Sequence, residues 1–480
     1  AAVALARFML SGAVVGSAFS TAISISAAFD AGNIKVVSTS ATKAVLEIKP
    51  DPLTELEQKA HLQWFYFRAT AAEPGTVQYE IQNAAEVSFP LAWEGSQVCV
   101  STDRKVWTRV DATKYDQERG VLCWPYAHTA STPSVYFAYF DPYDYARQLE
   151  LVARCAAAPG ARVRSLGQTL DGRELDCVEV GHGALHAWVI HRQHPGESQA
   201  SFFAEGLLTR LLGLGPDGAG ALDGLAVRLR EVYTFHVVPN MNPDGAVRGH
   251  LRTNACGANL NREWCSGTYA APASGEYAAP TLARSPEVYH ALAAMDATGV
   301  DAFVDVHGDE TLPFSFIAGA EGLACWGERI KSLQAAFVAS YARSNPDMQA
   351  RFGYEVEPPL EGNMAVCSNA IAQRFDCLGV TLEMPFKGEV PHNLPHNLGK
   401  GASFQGPRAA ALGASLLDPL AHVASRLRGV SAPSFGPEDA YVEPIEDAQQ
   451  VAAFVREQRA AFAAKLAARA AAAYLSLLPL

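Results

Sequence analysis

His194-Pro195-Gly196-Glu197 sets an imidazole and a carboxylate three residues apart, and these are two of the ligand types that hold zinc. Spacing alone is a weak signal, because 13 histidines and 50 acidic residues in 480 positions give about 1.4 such pairs by chance. Position adds what spacing lacks. The apolar run at 187–190 reads as a strand, and the motif follows it directly, with Glu197 opening a helix. His307 follows Val304-Asp305-Val306 and Glu383 follows Val380-Thr381-Leu382, again at strand C-terminal ends, the edge where open α/β sheets collect their ligands. A zinc hydrolase takes three protein ligands and keeps a position open for water. His194, Glu197 and His307 meet that requirement for one Zn2+ per chain. A single histidine after a strand is more often a hydrogen-bonded structural residue, but three coincidences on one edge argue against that. Glu383, between Leu382 and Met384 and close to Phe386, is the base: apolar neighbours raise a carboxylate toward the range in which it takes a proton from water.

The loop region after the strand ending at Val238 carries Asn240-Met-Asn-Pro-Asp-Gly245, then Arg252, then Gly257-Ala-Asn-Leu-Asn261-Arg262. Asn261 and Arg262 put an amide beside a planar guanidinium, a pair suited to gripping a carboxylate. Arg252 adds a positive charge that can face the oxyanion of a tetrahedral intermediate. Taken one by one, these are turn formers and surface charges; the whole string is harder to dismiss.

The elements that must position these residues fall into two parts, as 480 residues exceed a single ordinary core. From about 21 to 140, short alternating runs at 44–48, 63–68, 76–81 and 134–139 are separated by turn residues and predict an all-β sandwich. Its aromatics, among them Trp64, Tyr66, Phe67, Trp93, Trp107, Trp124 and Tyr126, are expected in the core. From 141 to 428, strands at 187–190, 232–238, 302–306 and 379–382 alternate with helices at 198–212, 286–297 and 325–344, an α/β pattern with a mostly parallel sheet covered on both faces. The glycine-rich stretch 213–224 lacks the Gly-Lys-Ser/Thr ending of a phosphate loop and reads as a surface loop. Residues 429–480 read as a linker and an Ala-rich helical extension.

A net charge of −12 and the absence of any Lys/Arg run exclude a nucleic-acid role. Nine cysteines without a CxxC pair fit reduced thiols in the cytoplasm. The apolar first twenty residues are a leader or an extension, with secretion as the alternative if they are a signal segment. No other stretch is long and apolar enough to span a membrane.

The motifs resemble those of the zinc carboxypeptidase family, and most closely its cytosolic carboxypeptidase branch. His194-Pro-Gly-Glu197, Asn242-Pro-Asp-Gly245, Leu260-Asn261-Arg262, His307-Gly308 and a late Glu383 occur in that branch's order. The similarity covers about 143–420, and the module containing Trp64-Phe-Tyr-Phe-Arg68 is similar to the branch's amino-terminal β-sandwich. The resemblance implies a zinc carboxypeptidase-like fold and hydrolysis of the last peptide bond of peptides or proteins by metal-activated water. It also implies His194, Glu197 and His307 as zinc ligands, Glu383 as base, Arg252 as electrophilic stabiliser, and Asn261 with Arg262 as the clamp on the C-terminal carboxylate. Two departures stand out. Gly196 occupies the place where secreted pancreatic-type members carry an Arg. Ser368 falls where deglutamylating relatives carry a basic residue, which leaves Arg374 or Lys387 as substitutes; Tyr354 is the best match to the family's mobile tyrosine. Rival readings are a zinc amidohydrolase of the aspartoacylase type acting on N-acyl amino acids, and a silent peptide-binding module that keeps the clamp without the metal.

Overall fold

A computed structural model describes residues 22–57, 59–215, 220–265, 279–387 and 403–429. The expected leader at 1–20, the linker beyond 429 and the expected helix at 448–477 lie outside the described residues.

The first part of the chain is built of short strands whose alternate residues face inward, as Val77, Tyr79 and Ile81 do. They form two five-stranded sheets. One runs Ser24–Ser26, Tyr66–Thr70, Ser134–Ala138, Cys99–Ser101, Thr108–Arg109, antiparallel throughout. The other runs Lys35–Thr39, Lys43–Glu47, Gly75–Ile81, Val121–His128, Lys114–Asp116, with a single parallel pairing between Lys43–Glu47 and Gly75–Ile81. Trp64, Tyr66, Phe67, Trp93, Trp107 and Trp124 are buried, whereas Tyr126 is half-exposed. The strand expected at 63–68 starts only at Tyr66. Upstream, Leu62 N donates to Ser88 Oγ and Leu62 O accepts from Ser88 N, so a loop satisfies that backbone in place of a neighbouring strand.

The second part is a seven-stranded mixed sheet in the order Ala161–Gln168, Glu174–Val180, Tyr233–Val238, Leu185–His191, Ala302–Val306, Leu378–Glu383, Phe316–Ala318. The middle four strands are parallel and the three outer ones antiparallel. Continuous apolar runs suit those middle strands because both faces are covered. Ala187, Val189, Val304 and Val380 meet the side carrying helices Gln199–Leu212, Glu328–Ser344 and Gly406–Ser415. Trp188, Ile190 and Phe303 meet the opposite side, with Pro286–Thr298 and Cys367–Phe375.

The helix expected at 325–344 starts at Glu328, because Gly327 is held fully extended in front of it. A nine-residue helix, Gly224–Val232, follows the glycine-rich stretch. Asp223 caps it by accepting from Ala226 N, a local signal the glycines obscured. The β-sandwich docks through Arg109, whose Nη2 donates to Phe386 O and Phe404 O, and through Tyr139 stacked on Phe386 at 4.8 Å.

Helices Gln199–Leu212 and Gly406–Ser415 approach so closely that a Cβ on Gly206 would overlap the Ala410 carbonyl. Gly206→Ala should therefore push the helices apart and cost about 1–3 kcal/mol, the usual range for overpacking. Urea unfolding measures it: a midpoint at or above wild type would contradict the contact.

Candidate active site

Strand register sets the site. His191 lies opposite Val306, and Val306 opposite Leu382, so three parallel strands end level with one another. His194 and Glu197 follow the first, His307 the second, and Glu383 closes the third. All four are at least nine-tenths buried. His194 Nδ1 lies 2.7 Å from Glu197 Oε1, His307 Nδ1 lies 2.8 Å from Glu197 Oε2, and the two Nδ1 atoms are 3.2 Å apart.

The donor set fits a metal. One ligand atom from each of His194, Glu197 and His307 lies within 4.8 Å of the others. The far ring nitrogens are occupied: His307 Nε2 faces Asp305 Oδ2 at 2.9 Å, and His194 Nε2 faces Asn259 Oδ1 at 3.0 Å. An acceptor at Nε2 fixes the proton there and turns the Nδ1 lone pair toward the cluster, as oxygen partners of metal-binding histidines do. Asp305 is steadied in turn by Gln193 Nε2 at 2.6 Å, and Gln193 Oε1 by the Trp264 indole at 2.8 Å.

Electrostatics follow the geometry. Burial, then the positive Arg252, pushes His194 down to about 3, which keeps its imidazole neutral. Burial also disfavours a charged His307, but the Asp305 and Glu197 carboxylates overcome this and hold its pKa well above normal. Burial alone would raise Glu197; the two imidazoles reverse that and hold it well below the carboxylate range. Glu383 goes the other way. Burial, with Glu197 and Asp309 nearby, raises it well above an ordinary carboxylate, against the pull of His307 and Tyr354. Its Oε1 accepts from Tyr354 Oη at 3.1 Å, while Oε2 is buried and has no hydrogen-bond partner among the described residues. Tyr354 Oη also lies 2.9 Å from Asp309 Oδ2.

The cleft in front of the cluster has a volume of about 540 Å³. Arg252, Asn261 and Arg262 line it. Among the described residues the Arg252 side chain makes no hydrogen bond, though the Glu57 and Glu310 carboxylates feel its charge. Asn261 is fixed: its Oδ1 accepts from Cys367 N at 2.8 Å, and its Nδ2 lies 3.3 Å from His307 Nε2. Arg262 Nη1 donates to the Asn261 carbonyl at 2.7 Å.

Ser368 lines the cleft too, with its Oγ 2.8 Å from Thr381 Oγ1. Neither suggested substitute for a basic residue there reaches the cleft. Arg374 is paired with Asp296 through both carboxylate oxygens, and Lys387 lies near the Leu91 carbonyl at 3.5 Å. Three contributors escaped the sequence reading. Asp305 and Asn259 orient the imidazoles, and Glu310 adds a buried carboxylate to the cleft. For Asp305 a signal existed: a charged residue inside the apolar run 302–306, two positions before His307.

Comparison with known proteins agrees with this geometry. Residues 25–140 match the family model for the cytosolic carboxypeptidase N-terminal domain, and residues 148–393 match that for zinc carboxypeptidase. An uncharacterised protein of Zymomonas mobilis is 40% identical over 405 residues, 84% of this chain and 97% of its own length. Cytosolic carboxypeptidase 3 of Bos taurus is 26% identical over 404 residues; the match covers 76% of this chain but only 37% of that longer protein. Among solved structures, a metallo-carboxypeptidase from Burkholderia cenocepacia is 40% identical with a TM-score of 0.73, covering 84% of this chain and 100% of that one. A metallo-carboxypeptidase from Pseudomonas aeruginosa, solved in complex with (2-guanidinoethylmercapto)succinic acid, is 35% identical at the same TM-score of 0.73 and the same coverage of 84% and 100%. The chain therefore belongs to the zinc carboxypeptidase family, a family of exopeptidase hydrolases, and carries the amino-terminal domain of the cytosolic carboxypeptidases.

Proposed function

We propose that the chain is a zinc carboxypeptidase that removes the last residue of peptides or proteins in the cytoplasm, with 21–140 as a β-sandwich domain and 141–428 as the catalytic domain. The observation that carries the reading is the convergence of His194 Nδ1, His307 Nδ1 and the Glu197 carboxylate beside the free Oε2 of Glu383. His194, Glu197 and His307 would hold the zinc. When bound, zinc supplies a Lewis acid that polarises a carbonyl and makes water more acidic.

The chain's own groups do the rest. Glu383, raised toward neutrality by burial, takes the proton of the attacking water on Oε2 and passes it to the departing amine. Arg252 faces the oxygen on which negative charge builds. Asn261 and Arg262 grip the substrate's terminal carboxylate, which restricts cleavage to the last bond. Tyr354, already hydrogen-bonded to Glu383, covers the reacting groups.

The side-chain pocket favours a basic or neutral last residue. Its floor carries the Ser368 and Thr381 hydroxyls, and beside them Asn369 Nδ2 donates to Glu357 Oε2 at 3.2 Å. Glu321, Glu355 and Glu357 line this side of the cleft against a single Arg351. The guanidino compound bound by the Pseudomonas aeruginosa relative has the cationic tail such a pocket would accept.

Four measurements test these assignments. A peptide library read by mass spectrometry should show loss of the last residue only, and no loss from C-terminally amidated peptides; internal cuts would refute the reading. Glu383→Gln should keep its zinc while kcat falls about 10²–10⁴-fold, the range for a missing general base. His307→Ala should lose the zinc, and a fully loaded, active His307→Ala protein would remove that ligand from the scheme. In matched peptides, a final Arg should leave at least about tenfold faster than a final Glu, about 1.4 kcal/mol of discrimination. Glu357→Gln should narrow the gap, and faster release of Glu would reverse the pocket assignment.

A further inference from the structure

Asp51 is a residue of the β-sandwich, two hundred positions from the loop that carries Arg252, and 4% exposed. Its carboxylate is filled by a single tripeptide of the catalytic loop. Oδ1 accepts from Leu251 N at 2.7 Å, and Oδ2 accepts from Arg252 N at 2.8 Å, Thr253 N at 2.9 Å and Thr253 Oγ1 at 3.0 Å. Four donors on one buried carboxylate fix the backbone on both sides of Arg252, because each of those buried N–H groups would otherwise lack a partner.

The same tripeptide touches the metal-binding loop. Leu251 O accepts from Gly196 N at 2.9 Å, between His194 and Glu197. The anchor itself is stiff: Pro50 and Pro52 flank Asp51, and Asp51 N donates to His61 O at 2.8 Å. Next to it, Leu53 O sits where a Cβ on Gly257 would be, and Gly257 holds φ +83, so the two loops interlock without room to slide.

We infer that Asp51 is a positioning residue for Arg252, so that the β-sandwich holds part of the catalytic apparatus in place across the interface. Arg252 makes no side-chain hydrogen bond among the described residues, so its reach into the cleft depends on its backbone. The carboxylate of Asp51 is the group that fixes that backbone. The inference rests on the reading of Arg252 as the group that faces the developing oxyanion. A group acting on that charge lowers kcat when misplaced and leaves substrate binding nearly intact.

The test is a double-mutant cycle on the full zinc-loaded chain, with kcat, KM and zinc content measured on one peptide. Arg252→Ala should lower kcat about 10²–10³-fold, as loss of an oxyanion partner does. Asp51→Asn keeps the shape but presents an amide NH2 to the N–H groups of the tripeptide. It should retain one zinc per chain and lower kcat at least about tenfold, with KM changing less than about twofold. In the Arg252→Ala background the same change should cost less than about twofold, because its target is gone. An equal loss in both backgrounds would overturn the inference, since a merely structural role acts whatever residue occupies 252. Thr253→Val removes one donor of the four and repeats the cycle if Asp51→Asn does not fold: a few-fold loss in kcat that vanishes without Arg252 supports the inference, and a persistent loss refutes it. Wild-type kcat in Arg252→Ala would instead remove the assigned role of Arg252, and the inference with it.

Discussion

Four carboxylates, those of Glu197, Asp305, Glu310 and Glu383, lie at least nine-tenths buried at one edge of the sheet. Much of the site's design answers that concentration of negative charge. An ionised carboxylate out of water is costly unless it is paired, hydrogen-bonded or neutralised. Each of three groups takes a different route. Glu197 shares two imidazoles and accepts the Gly308 N–H at 3.1 Å. Asp305 takes His307 Nε2 and the Gln193 amide. Glu383 and Glu310 have their pKa raised well above the ordinary carboxylate range by burial and by the like charges of Glu197 and Asp309, so each holds a proton more readily. His307, whose pKa is held well above normal, and Arg252 set positive charge against part of this negative charge. A divalent cation held by Glu197 and the two imidazoles would offset the surplus, and the neutral His194 already presents the ligand form.

The constraint also explains the architecture around the site. Side chains that must meet within hydrogen-bond distance, yet stay apart from water, need rigid supports on several sides. Parallel strands ending in step provide them, since register fixed by the apolar runs at 187–190, 302–306 and 378–382 leaves no freedom to shift one ligand past another. The groups proposed to meet the substrate's charges come from a loop, and a loop has no such ladder. There the chain uses polar anchors: Asp51 on residues 251–253, Asn261 on Cys367 N, and Glu263 on Arg284 and Ser285. Each carboxylate anchor contributes about 1.5–3 kcal/mol per hydrogen bond and the neutral Asn261 about 0.5–1.5 kcal/mol, enough to hold one loop conformation among many.

That division decides what could be read in the sequence. The proposed metal ligands and Glu383 were legible because a polar residue directly after an apolar β-branched run marks a strand's end. The burial of the sandwich aromatics followed from size and spacing. Asp51 carried no signal, since its partners stand about two hundred positions away and a lone Asp between prolines looks like a turn. The helix Gly224–Val232 was masked by glycines, and Gly327 delayed the start of another. The exchange of Arg374 into an ion pair with Asp296 also depended on tertiary placement, so its distance from the cleft could not be counted along the chain.

The side-chain pocket lies at the far end of this scale. It takes Thr381 from a strand, Ser368 and Asn369 from the first turn of the helix Cys367–Phe375, and the glutamates from loops. Only the strand residue is locked by register. The loop and helix residues of this proposed pocket can change without moving His194, Glu197, His307 or Glu383, whose positions are set by strands and by hydrogen bonds behind them. On the proposed assignments, catalytic chemistry and substrate choice thus rest on different kinds of element in this molecule. The same separation explains why the motifs pointed firmly to a carboxypeptidase while the counted position of Ser368 raised, but could not decide, the question of which residue leaves.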